Sequence, residues 1–273
     1  MARSFADQFS KALGQPVLFV NRDGAAGRIA LEQLNVAKPD GYTLAFAPAA
    51  PLTSVPHLQK GVGYRYDSFE HVCQVFENTF TISVPAGSSM QRMTDLVDRA
   101  KAAPGQLTYG HAGIGSGPHL AVESMARALG IRLQAVPYRG GNQLLGAIVA
   151  AQVDFASPGL ASVAPRKEIR AIALFSAKRN PFLPDVPTLG ELGLPALAGD
   201  PQGVFAPKGT PRTIVAALEQ TCKTAAEGDA FKTFATKLYQ TVDYLPGAEL
   251  FRRSALDSKD KEALIRALRL TSD

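Results

Sequence analysis

A strand that runs into a glycine-rich loop and then into a helix is the feature that most limits what this chain folds into. It reads Leu107-Thr-Tyr-Gly-His-Ala-Gly-Ile-Gly-Ser-Gly-Pro-His-Leu120. The spacing predicts a strand over 107–110 and a helix over 118–129. Pro118 stands in the first helical turn and Gly130 just past the last, which is the favoured asymmetry of helix ends. Strand–turn–helix units of this kind stack into an α/β protein, and their ligands sit at the carboxyl ends of the strands.

The same alternation runs along the chain. Phe5, Phe9 and Leu13 repeat every four residues and predict a helix that Gly14 and Pro16 stop. Val17–Val20 reads as a short strand. Asn21-Arg-Asp-Gly24 is a turn into a helix carrying Ile29, Leu34 and Ala37 on one side, and Pro39-Asp-Gly41 is a further turn before a strand over 42–47. A helix carries Met93, Leu96, Val97 and Ala100. Strands are expected over 133–137 and 153–156, with a helix over 142–151 between them. The continuous apolar run 169–175 reads as a strand buried on both faces, the habit of parallel sheets. Residues 180–187 are a proline-rich connector. The last 60 residues read as mainly helical, with Ile214/Val215/Leu218 and Phe231/Phe234/Leu238 as core faces. Breaks near 78–90 and 180–200 divide the chain in three. The expected fold is α/β with mostly parallel sheets in two lobes: residues 1–80 plus 199–273, and residues 81–198. A ligand is expected between them.

Composition narrows the function. With 46% apolar and 19% charged residues, a 273-residue chain supports a large core. The net charge of +5 is mild and spread out; it suits a small anion, and without a Lys/Arg run it does not suit nucleic acid. No apolar run approaches the roughly 18 residues of a membrane span. Cys73 and Cys222 lie too far apart for a metal or redox motif, and whether they pair is open. The start, Met1-Ala-Arg-Ser-Phe5, lacks the apolar centre of a signal peptide, which taken literally keeps the chain in the cytoplasm.

Three loops are candidates for anion binding. The first is Gly113, Gly115, Ser116 and Gly117 with His119. Glycines allow close backbone approach, the first free amides of a helix favour an anion, and Ser116 and His119 add side-chain donors. Its plain alternative is a tight turn. It is no dinucleotide fingerprint, since position 118 is Pro; no phosphate-binding Walker loop, since no Gly-Lys-Ser/Thr follows; and no nucleophile elbow, since position 114 is Ile. The second is Tyr138-Arg139-Gly140-Gly141, with Asn142 as a helix cap; its alternative is a capped helix with a solvated Arg139. The third is Ser157, which follows a buried strand and otherwise serves as an N-cap. The four histidines, His57, His71, His111 and His119, have no zinc spacing. No nucleophile–base set or carboxylate pair assembles. The expectation is a binder with no catalytic residue, metal or cofactor.

Several segments, taken in order, resemble the substrate-binding proteins of tripartite tricarboxylate transporters, also called the Bug family. They are Ala12-Leu-Gly-Gln-Pro-Val, Val20-Asn-Arg-Asp-Gly-Ala-Ala-Gly, Lys38-Pro-Asp-Gly-Tyr-Thr-Leu, Pro104-Gly-Gln-Leu-Thr-Tyr, Gly113-Ile-Gly-Ser-Gly-Pro-His-Leu, Val136-Pro-Tyr-Arg-Gly, Ser176-Ala-Lys-Arg, Pro184-Asp-Val-Pro-Thr and Gly203-Val-Phe-Ala-Pro-Lys-Gly-Thr-Pro. The resemblance covers nearly the whole chain. It implies a two-lobed, clamshell periplasmic binding fold that closes on a small carboxylate and passes it to a membrane permease. It places the ligand on Gly113, Gly115, Ser116, Gly117 and His119, on Tyr138, Arg139, Gly140 and Gly141, and on Ser157, where the family usually has Asn. It implies a periplasmic location and, with it, a monomer that binds no nucleic acid. Three departures accompany the likeness. The family's opening strand and Pro-Phe-x-x-Gly-Gly loop precede the point where this sequence starts, which suggests N-terminal truncation. Ile114, Gly117 and Pro118 replace the usual Asn and Ser/Thr run. Ala156 replaces an Asp. The alternatives are an α/β enzyme acting on a small carboxylate or phosphate with His111 or His119 as base, a carboxylate sensor, and a truncated remnant without function.

Overall fold

The computed structural model describes residues 1–22, 27–194 and 199–270. Asp23 and Gly24 of the first expected turn lie outside the described residues. The chain forms two compact units, Met1–Glu77 with Asp200–Asp273, and Asn78–Gly199.

The first unit is built on a four-stranded sheet. Its strands are β1 (Ala45–Pro48), β2 (Phe69–Asn78), β8 (Asp200–Pro207) and β9 (Val242–Pro246), in the order β1-β8-β2-β9. β1 runs antiparallel to β8 and β2 antiparallel to β9. Alternation along β8 divides two cores between the faces of the sheet. Val204 and Ala206 join Phe5 and Phe9 of α1 (Ala2–Leu13), Leu218 and Cys222 of α8 (Arg212–Glu227) and Phe231 of α9 (Asp229–Lys237). Phe205 joins Leu31 and Leu34 of α2 (Arg28–Asn35), Leu52 of α3 (Ala50–Leu58) and Leu250 of α10 (Gly247–Leu268). Phe5 is the hub of the first core, with the rings of Phe46 and Phe231 at 5.3 and 5.5 Å. Burying such a ring contributes about 2–3 kcal/mol. A disulfide joins Cys73 on β2 to Cys222 on α8 across 149 residues of sequence, which answers the question the sequence left open.

The second unit holds the glycine-rich loop. Its five strands are β3 (Phe80–Pro85), β4 (Thr108–His111), β5 (Gln134–Pro137), β6 (Phe155–Ala156) and β7 (Ile169–Phe175), in the order β5-β4-β6-β3-β7. β4 is parallel to β5 and β6, whereas β3 is antiparallel to β6 and β7. One face packs Tyr109 and Phe155 against Met93 and Leu96 of α4 (Met93–Ala102) and Val122 and Met125 of α5 (Gly117–Leu129). The other packs Ala156 against Leu144 and Ile148 of α6 (Gly141–Val149) and Val163 of α7 (Leu160–Val163). Asp154 holds the starts of β4 and β6 together, accepting hydrogen bonds from the Thr108 amide and hydroxyl at 2.8 and 2.7 Å.

Several expectations need correction. The sheets are not mostly parallel: the second is mixed, and the β1–β8 and β2–β9 pairs of the first are antiparallel. An apolar run reports cover on both faces and not strand direction; β7 is such a run and lies antiparallel to β3. Residues 80–85, expected within a break, form β3, the strand between β6 and β7. Val17–Val20 makes no strand: it pairs with no strand of the described residues, and Leu18 is 88% exposed. Ile29 faces solvent, and α2 buries Leu31 and Leu34 instead. Phe234 and Leu238 lie on the exposed side of their segment, and β9 interrupts the helical C-terminal region.

Candidate functional site

The site is assembled at the carboxyl ends of β4 and β6. Registers Tyr109↔Phe155 and Gly110↔Ala156 bring the two strands side by side. The Tyr109 and Phe155 rings stack at 5.7 Å on the α5 face, and Gly110 and Ala156 point to the α6 face. Alternation then returns His111 and Ser157 to the α5 face. The ring contacts bear this out for His111, whose centroid is 5.7 Å from Tyr109 and 4.2 Å from His119 on α5. The Ser157 amide donates to the Gly110 carbonyl at 3.3 Å, which continues the pairing past the end of β6.

The loop between β4 and α5 is shaped by its own bonds. Gly113 and Gly115 adopt φ of 117° and 75°, backbone that side chains rarely tolerate. The His111 Nδ1–H donates to the Gly113 carbonyl at 2.8 Å, and the Gly115 amide donates to Nδ1 of His119 at 3.0 Å. Ser116 is the N-cap of α5 but makes no side-chain cap bond. The residue at N2 is Pro118, which has no N–H to offer. The amides of Gly117 and His119 lie in the first turn and have no intrahelical acceptor.

Among the described residues, three buried polar atoms of these neighbouring segments have no protein partner: Oγ of Ser116, Oγ of Ser157 and Nε2 of His111. His111 and Ser157 are fully buried. Buried polar atoms almost always find partners, so such a cluster at strand ends and a helix start marks a binding locus. Electrostatics agree. Burial depresses His119 to about 4, with His111 adding to the effect, and burial lowers His111 despite its bond to the Gly113 carbonyl. Both rings are neutral at pH 7. The charge-attracting elements are amides, hydroxyls and the positive end of the α5 dipole. The Tyr109 hydroxyl donates to Glu123 at 2.5 Å, and burial followed by Glu123 raises its pKa far above the ordinary tyrosine value.

The second loop reaches the same sheet end but not the same face. The Tyr138 amide donates to the His111 carbonyl at 2.9 Å, so the loops are contiguous. The Tyr138 ring packs toward α6, beside the position a Gly110 side chain would take. Arg139 is exposed. Gly140, not Asn142, is the N-cap of α6, and the Arg139 amide donates to Gln143. Ser157 is no cap either, since α7 begins after Gly159. His111 is the member of the cluster that the sequence-based site lacked; its place two residues after the buried Tyr109 was the available signal.

The model of the tripartite tricarboxylate transporter family receptor matches residues 1–270. The chain belongs to this family. A Cupriavidus necator relative, the UPF0065 protein in the gbd 5' region, is 32% identical over 272 residues, covering 98% of this chain and 82% of its own. A Rhodopseudomonas palustris protein solved with adipate superposes with a TM-score of 0.85 at 26% identity, covering 97% of this chain and 90% of its own. MatC of Rhodopseudomonas palustris, solved with bound malate, gives 0.83 at 27%, covering 97% and 92%. Members of the family are receptors, and this chain is a receptor rather than an enzyme; His111 and His119 are not read as catalytic bases.

Proposed function

We propose that this receptor binds a small carboxylate in the periplasm and delivers it, as a monomer, to the membrane permease of a tripartite tricarboxylate-type transporter. The observation that carries this reading is the pair of buried hydroxyls without a protein partner, Ser116 at the N-cap of α5 and Ser157 just past β6, together with the free first-turn amides of α5. A carboxylate offers acceptor oxygens to each of them, and hydrogen bonds to a charged group are worth about 1.5–3 kcal/mol each. The sequence-based set of Gly113, Gly115, Ser116, Gly117, His119 and Ser157 supplies the grip. Tyr138, Arg139, Gly140 and Gly141 border it from the neighbouring strand end. The two relatives solved with dicarboxylates support the ligand class, and the Cys73–Cys222 disulfide supports an oxidising compartment. The chain passes between its two units at 77–78 and 199–200. The proposed response to ligand is a turn about these crossings.

Calorimetric titration with a panel of mono-, di- and tricarboxylates tests the reading. It predicts saturable 1:1 binding of at least one acid; silence across the panel refutes it.

A further inference from the structure

His111 is the one partnerless group of the cluster that a carboxylate does not satisfy. Its Nδ1 faces the Gly113 carbonyl at 2.8 Å, and a carbonyl only accepts, so Nδ1 carries the proton. In the neutral ring Nε2 is then a bare lone pair. That atom is buried and has no hydrogen-bond donor among the described residues; neither the Ser116 nor the Ser157 hydroxyl bonds to it. A carboxylate oxygen set against it would be acceptor against acceptor.

We propose that the acid held here carries a hydroxyl beside its carboxylate, and that His111 is the residue that selects it. The inference rests on the carboxylate reading of the site. In the proposed arrangement the ligand carboxylate takes the α5 amides and the serine hydroxyls, and the adjacent ligand hydroxyl donates to His111 Nε2. An ammonium group would also donate. It would bring a positive charge into a fully buried position whose nearest built elements, the α5 dipole and two neutral imidazoles, offer it no counter-charge. Hydroxy acids are therefore favoured over both amino acids and plain acids. A site that leaves a buried acceptor unpaired when the analogue lacks the hydroxyl discriminates strongly against that analogue.

The test is calorimetry on the intact chain with matched acids: malate, succinate and aspartate, and lactate against propionate. Malate is expected to bind at least tenfold more tightly than succinate and aspartate, and lactate more tightly than propionate. The His111→Asn variant keeps a side-chain donor for the Gly113 carbonyl but has no Nε2. It should abolish the preference, bringing the ratio of malate to succinate affinity to within about twofold of one. Should that variant fail to fold, ¹⁵N NMR of the histidine rings in the unaltered protein replaces it: Nε2 of His111 moves on adding malate and stays on adding succinate. Equal affinity for malate and succinate, tighter binding of aspartate, or a hydroxyl preference that survives in His111→Asn overturns the proposal and leaves carboxylate binding intact. Succinate binding that takes up one proton, counted from titrations in two buffers of different ionisation enthalpy, overturns it too, since Nε2 would then be a donor. Failure of every acid to bind overturns the carboxylate reading itself and this inference with it.

Discussion

His111 and His119 stack ring on ring, centroids 4.2 Å apart and planes within 24°, under the first turn of α5. One ring tethers the Gly113 carbonyl and the other receives the Gly115 amide, so the pair braces both ends of the glycine turn. His119 must stay neutral to do so, since protonating it at Nδ1 removes the acceptor that Gly115 uses, whereas His111 donates from Nδ1 in either state.

That requirement fixes a pH dependence. His119 and His71 are each depressed from 6.5 to about 4, chiefly by burial. A base whose folded pKa lies below its unfolded value leaves stability at its full level above pH 6.5. Stability then falls as the pH drops toward 4, because the unfolded chain binds the proton first. At pH 5 each histidine is expected to cost about 2 kcal/mol relative to pH 7. Urea midpoints at the two pH values measure it, and a midpoint equal or higher at pH 5 contradicts it.

Gly247 at the start of α10 lies against the backbone of His71: a Cβ there would stand 1.9 Å from the His71 carbonyl oxygen. Backbone on both sides leaves little room to yield. Gly247→Ala is expected to cost about 3 kcal/mol or more, roughly 6–12 °C in Tm for a protein of this size. Gly146 in α6 meets nothing within 4 Å, and Gly146→Ala should be neutral or stabilising by up to about 1 kcal/mol. Thermal melts of the two variants separate these outcomes.

The Cys73–Cys222 bond joins two residues of one unit across a sequence separation of 149, and the loop it closes contains the whole of the other unit. Loops of that length place a disulfide in the upper part of the usual 2–5 kcal/mol range. Denaturation with and without a reductant is expected to show that loss, and Cys73→Ala/Cys222→Ala should reproduce the reduced curve. Coincident curves would contradict it.

How much of this was legible in the sequence differs by element. The β4–loop–α5 unit was readable because each local signal agreed: a short strand ended by a turn-forming loop, glycines where φ is positive, Pro118 in the first turn and Gly130 as a left-handed cap. Strand direction was not, since β7 is as apolar as a parallel strand but antiparallel to its neighbour. Val17–Val20 carries strand composition, but a strand exists only where another accepts its hydrogen bonds, and that is a tertiary fact. At the site, the glycines and Ser116 stood out as motif. Ser157 was readable only as following a buried strand, and His111 gained its meaning from the tautomer its loop imposes. Asn142 had the composition of a cap but not the place, which the backbone gave to Gly140.

The account stands most directly on the two serine hydroxyls. Malate affinity measured by calorimetry for the unaltered chain, Ser116→Ala and Ser157→Ala tests it. Each variant is expected to bind about 1–3 kcal/mol more weakly while its Tm stays close to that of the parent, since neither hydroxyl bonds to the protein. Unchanged affinity in both variants would place the acid elsewhere on the chain and contradict the account.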